Sequence, residues 1–131
     1  MSQHLPSSDS VILKGIREEP SAEDGARVLV DRLWPRGVSK ERAALDEWAK
    51  DATPTTELRR AFHSGDLPWP QFVEAYRDEL TERPEAVAAV EQLRHEALKG
   101  RVTLLFAGHD HVHCHARVLR EAILGVEEDL T

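Results

Sequence analysis

The chain has one cysteine, so no internal disulfide can brace it, and the composition suits a reducing, cytoplasmic setting. Basic residues are outnumbered: 17 Lys and Arg face 24 Asp and Glu, a net charge of -7. Such a balance argues against general nucleic-acid binding through the phosphate backbone, although a local basic patch can still hold a small anion. Long apolar runs are missing too. None approaches the ~20 residues of a membrane span. The first ten residues have neither a basic start nor an apolar segment, so no secretory signal is expected.

What is present is 131 residues, 40% of them hydrophobic, enough for a single core. The expected division is a flexible N-terminus at 1–10, one α/β domain at 11–125 and an acidic tail at 126–131. Residues 102–106, VTLLF, form an apolar run without alternation, as in a strand covered on both faces. Further strands are read at 11–16 and 27–33, with room for another inside 44–48. Ser39 caps a short helix in this reading. Thr53-Pro54, Pro70 and Pro84 open three more, and Gly100 closes the last of them. In that last helix Ala86, Val90, Leu93 and Ala97 share a face. A final helix is predicted from Asp110, as N-cap, to a stop at Gly125, with Val112, Ala116, Leu119 and Ile123 on one face. Strands separated by helices predict an α/β fold: a small, mostly parallel sheet covered by helices, three-layered and Rossmann-like. In such sheets ligands sit beyond the carboxyl ends of the strands.

Two segments occupy that position. After the second strand comes DRLWPRG, residues 31–37. Alternation places Asp31 and Leu33 on one side, Arg32 and Trp34 on the other. Arg32, Arg36 and Lys40, with Trp34, form a candidate site for a carboxylate or phosphate. The competing reading has Asp31, Asp46 and Asp51 neutralise those cations. After the 102–106 strand comes AGHDHVHCHA, which holds His109, His111, His113 and His115 at two-residue spacing. An extended loop would let several grip a metal. A helix would pair only His111 with His115, or His109 with His113. With Cys114 as a soft ligand this would suit zinc, copper or nickel, a divalent transition metal as cofactor. The competing reading is a solvent-facing cluster.

Cys114 is also a candidate nucleophile, since a helix N-terminus and a nearby histidine lower a thiol's pKa. A phosphatase-type cradle is excluded, because the arginine six positions on, Arg120, falls inside the helix. Asp110 and His115 complete a candidate acid-base set. Glu74, Asp78 and Glu79 read as a solvated face.

DRLWPRG, DEWAKD at 46–51, TELRRAF at 56–62 and the strand leading into HCHA together resemble the YeaO-like branch of domain-of-unknown-function family 488. The resemblance spans roughly residues 14–124. It implies a compact bacterial-type α/β domain and no assigned reaction. In YeaO-like members the position of Cys114 is similar to an Asn followed by His and Ala, while the other branch carries Cys-His-Arg. Cys114-His115-Ala116 takes its Cys from one pattern and its Ala from the other. His115 recurs in both patterns, which singles it out within the cluster. The leading expectation is a protein that binds a small anionic molecule at the strand ends, with turnover left open. A metal-binding protein and a non-enzymatic interaction module are the alternatives.

Overall fold

The run at 102–106 becomes the centre of the sheet. In a computed structural model, which describes residues 4–130, four strands lie in the order β1-β4-β2-β3. They are β1 (Val11–Gly15), β2 (Ala26–Leu29), β3 (Glu47–Trp48) and β4 (Val102–Phe106), and every neighbouring pair is parallel. All five residues of β4 are buried, which explains why its sequence shows no alternation. Val102, Leu104 and Phe106 face the larger core, and Leu105 faces the smaller one. Thr103 is buried as well, its hydroxyl donating to the Asp24 carbonyl at 2.7 Å.

Helices α2 (Thr56–His63), α3 (Trp69–Glu82) and α4 (Pro84–Lys99) form the long crossover from β3 to β4, and α5 (His115–Leu124) follows β4. Their apolar stripes meet the larger core. In α4 the buried residues are the four expected, Ala86, Val90, Leu93 and Ala97. In α3 they are Trp69, Phe72, Val73, Tyr76 and Leu80. Burying one such side chain contributes roughly 1.5–3 kcal/mol. The opposite face of the sheet carries the one-turn helix α1 (Lys40–Ala43) and a small core of Ile16, Leu29, Val38, Ala43 and Leu105. The fold is therefore three-layered α/β, as predicted, with one thin layer. Among the described residues no helix is long and apolar enough to cross a membrane.

Buried charge locks the N-terminal edge of the sheet. Asp24 accepts from Lys14 at 3.0 Å, Arg27 at 2.5 Å and the Ser21 amide at 3.0 Å. Burial alone would raise the Asp24 carboxyl, but these bonds outweigh it and hold it below its ordinary range.

Several boundaries differ from the sequence reading. β2 ends at Leu29 rather than 33: Val30 still donates to the Leu105 carbonyl at 3.0 Å, and then the chain turns away. Thr55, not Thr53, caps α2. Glu79 is no solvated residue, since its carboxylate accepts the Thr55 amide at 2.9 Å and the Thr55 hydroxyl at 2.5 Å. The last helix begins at His115 rather than after Asp110, which leaves Val112 exposed. Of the segment expected to be flexible, residues 1–3 lie outside the described residues. Ser8–Ser10 form a 3-10 turn whose Ser8 carbonyl accepts from Arg120 at 2.8 Å. Residue 131 of the acidic tail is also outside, while Leu130 is buried and accepts from the Trp69 indole at 2.5 Å.

Candidate functional site

β2 and β4 are neighbours, so the segments leaving them run side by side. Residues 30–37 and 107–115 converge there, and α2 with Pro54 closes the third side. Between them lies a cavity of about 590 Å³. That is ample for a small molecule.

The floor is built from Asp31 and His115. His115 Nε2 lies 2.7 Å from the Val30 carbonyl and 3.2 Å from Asp31 Oδ1. Both partners only accept, so Nε2 carries the proton. Asp31 Oδ2 accepts the Ala107 amide at 2.8 Å, and the Asp31 carbonyl accepts the Trp48 indole at 2.6 Å. Asp31 thus ties together the two strand ends, and among the described residues it forms no ion pair with an arginine. Asp46 is equally committed, to the Arg27 amide at 2.8 Å.

Asp110 lines the cavity but does not cap α5. Its Oδ1 accepts the Val112 and His113 amides, each at 2.9 Å, and so caps a turn before the helix. Those amides hold its carboxyl below the ordinary range. The N-cap of α5 is Cys114, with no side-chain capping bond. Burial pushes the Cys114 thiol up to about 11, and the charges of Asp31 and Asp110 add to it. The amides of Ala116 and Arg117 pull the other way and are outweighed. The thiolate expected from a helix N-terminus is replaced by a buried, protonated thiol.

The four histidines do not converge as ligands. His111 packs edge-on against Phe106 with ring centres 4.9 Å apart. His109, His113 and His115 all line the cavity, His113 lying against Trp69 at 5.3 Å and bonding Asp110 while His115 bonds the sheet. The turn built on Asp110 directs successive rings to different neighbours. Among the described residues no group of three or more His, Cys, Asp or Glu side chains is arranged to hold a metal.

The expected anion-binding set also divides. Arg32 and Trp34 line the cavity, whereas Arg36 and Lys40 are exposed and lie off its wall. Arg32 Nε donates to the Pro54 carbonyl at 3.1 Å, which orients the guanidinium. Trp34 donates to the Val38 carbonyl at 2.7 Å and meets Trp48 edge-on at 5.4 Å. Arg17 bridges the two loops, donating to the carbonyls of Arg36 at 2.8 Å and Ala107 at 3.3 Å.

The sequence reading missed the third wall. Arg59, Phe62 and His63 of α2 line the cavity with Phe72 and Phe106. Arg59 Nε is buried and meets no hydrogen-bond acceptor among the described residues. A local signal existed: Arg59, Phe62 and His63 stand at i, i+3 and i+4, one face of a helix.

The family model described as the inactive DUF488-N3 subclade matches residues 10–130. The uncharacterized protein YeaO of Escherichia coli is 41% identical over 108 residues, covering 82% of this chain and 91% of that protein. The uncharacterized proteins Mb3100c of Mycobacterium bovis and Rv3073c of Mycobacterium tuberculosis are each 34% identical over 110 residues, covering 84% of this chain and 90% of theirs. No solved structure matches the chain.

Proposed function

This chain belongs to the DUF488 family, in the subclade described as inactive, and on that premise we propose that it binds a small anionic molecule without transforming it. The site is the cavity between the ends of β2 and β4. One observation carries the reading: the cavity's two carboxylates, Asp31 and Asp110, are engaged by the chain's own amides, while Arg32 and Arg59 line it without a carboxylate partner among the described residues. A charged guanidinium at an apolar wall favours an anion. The protonated Cys114 thiol supports binding rather than nucleophilic chemistry, and a lone free cysteine suits a cytoplasmic setting.

Thermal melting with acetate, phosphate, benzoate and phenyl phosphate tests this. A ligand at tenfold its Kd adds about 1.4 kcal/mol. For a chain of this size that raises Tm by about 5 °C. The shift is expected to be lost in Arg32→Ala with Arg59→Gln and kept in Arg36→Ala. No shift with any anion, or a shift that persists in the double variant, sinks the proposal. Proton NMR of the bound anion after overnight incubation should show it unchanged, and a new product would overturn the binding-only reading.

A further inference from the structure

We infer that His63, His109 and His113 form a proton-dependent rim that turns the cavity toward doubly charged anions as the pH falls; this rests on the anion-binding reading and adds the ligand's charge class and its control. His63 ends α2, and His109 and His113 belong to the loop between β4 and α5, so imidazoles from two separate elements line one cavity. Aromatic contacts hold two of them there. His63 lies against Phe62 at 5.7 Å, Phe62 against Trp69 at 5.7 Å, and Trp69 against His113 at 5.3 Å. All three histidines are exposed, so solvent protons reach them. Histidine is the side chain that ordinarily changes charge between about pH 8 and 5.

The rest of the wall sets the balance that these histidines tip. Asp31 and Arg32 come from the end of β2, Arg59 from α2 and Asp110 from the loop after β4, so with neutral imidazoles two carboxylates stand against two guanidiniums. Asp110 stays ionised, its carboxyl held below the ordinary range by the His113 and Val112 amides. Burial pushes the Cys114 thiol up to about 11, so it stays neutral. His115, on the floor, has its Nε2 committed to the Val30 carbonyl and to Asp31, which offsets a charge on that ring. Asp110 does the same for His113, whose Nδ1 lies 3.3 Å away. Among the described residues no carboxylate pairs with His63 or His109, so each proton they take up is a net positive charge at the rim. Attraction scales with the product of the charges, so a dianion gains twice the free energy of a monoanion, and its fold-change is the square. A dianion also loses more hydration on entry, but that cost does not vary with pH, and the slope separates the two.

Isothermal titration of the full chain at fixed ionic strength, from about pH 8 to 6, tests this with sulfate and methanesulfonate, whose own charges stay constant over that range. Sulfate affinity should rise about tenfold and methanesulfonate affinity about threefold. His63→Gln with His109→Gln should limit the sulfate rise to about twofold or less. His63→Lys with His109→Lys carries the charge at every pH tested, and should bind sulfate at about pH 8 as tightly as the wild type does at about pH 6. His95→Gln, exposed on α4 and away from the cavity, should keep the wild-type profile. A flat wild-type profile, or a rise that survives in the double glutamine variant, overturns the rim; an equal rise for both anions overturns the selection of dianions. In either case, binding that is lost in Arg32→Ala with Arg59→Gln leaves the broader anion reading standing. If neither anion binds at any pH, both readings fail together.

Discussion

Cys114 should behave as a thiol across the whole physiological range. It stands at the N-cap of α5, where amide dipoles favour a thiolate, yet it is only 5% exposed and faces Asp31 and Asp110. Desolvation wins, and the group moves from its ordinary 9.0 to about 11. At pH 8 an unshifted thiol would be roughly 10% ionised, and one titrating at 11 is ~0.1% ionised, a hundredfold less reactive species. Burial slows any reagent further, but by a factor that does not depend on pH. The midpoint of the profile, rather than the rate, is therefore the readout. Iodoacetamide alkylation followed by mass spectrometry from pH 6 to 10.5 should give a rate rising about tenfold per pH unit, with no plateau before pH 10. The urea-unfolded chain should plateau near the ordinary value. A plateau in the folded protein with a midpoint below about 8 would refute the reasoning. It would show that α5 activates the sulfur, and binding without turnover would no longer be the natural reading.

Two further predictions concern stability. Asp24→Ala leaves Arg27, 4% exposed, with no carboxylate partner, and should cost about 3 kcal/mol or more in urea unfolding. Because the folded Asp24 carboxyl is held below its ordinary 3.8, its stabilisation is complete above that pH and is lost as pH falls through the folded value. The gap between wild type and variant should therefore close under acid; a gap constant from pH 7 to 2.5 contradicts the ion-pair account. Glu47 and Glu96 each bury a carboxylate oxygen that meets no donor among the described residues, and burial, then the Glu96 charge, raises the Glu47 carboxyl above its ordinary 4.5. A raised acid stabilises the fold fully below 4.5 and loses that contribution as pH rises through the folded value. Glu47→Gln supplies an amide donor and should stabilise the protein by ~1 kcal/mol at pH 7, with the gain shrinking toward pH 4; destabilisation at pH 7 counts against the pairing.

The elements were legible where their signals are local. The stripe of α4 follows from spacing alone, and the burial of β4 from its unbroken apolar run. Illegible were the points where regular structure gives way to long-range contacts. Residues 30–33 continue the pattern of β2, yet Asp31 turns to an amide 76 positions away, and His115 reaches a carbonyl 85 positions back. The helix expected with Asp110 as N-cap is capped four residues later, at Cys114, because the Asp110 carboxylate satisfies the amides of a preceding turn instead. Asp is equally suited to either role, and no neighbouring residue distinguishes them.

The candidate site shows the same division. Nearness in sequence groups Arg32, Arg36 and Lys40. Direction separates them: Arg32 is aimed by the Pro54 carbonyl, while Arg36 and Lys40 stay outside the wall. Arg59 sits on a face that periodicity marks, but what turns that face to the cavity is the packing of Phe62 on Phe72, a contact between helices. The acids matter as much as the bases. Had Asp31 and Asp110 paired with the arginines, the cavity would hold closed salt bridges and little attraction for a ligand. By binding amides instead, they build the loops and leave Arg32 and Arg59 to line the cavity without a carboxylate partner among the described residues. The anion-binding proposal rests on that arrangement, with Arg59 in the place that Arg36 and Lys40 do not fill.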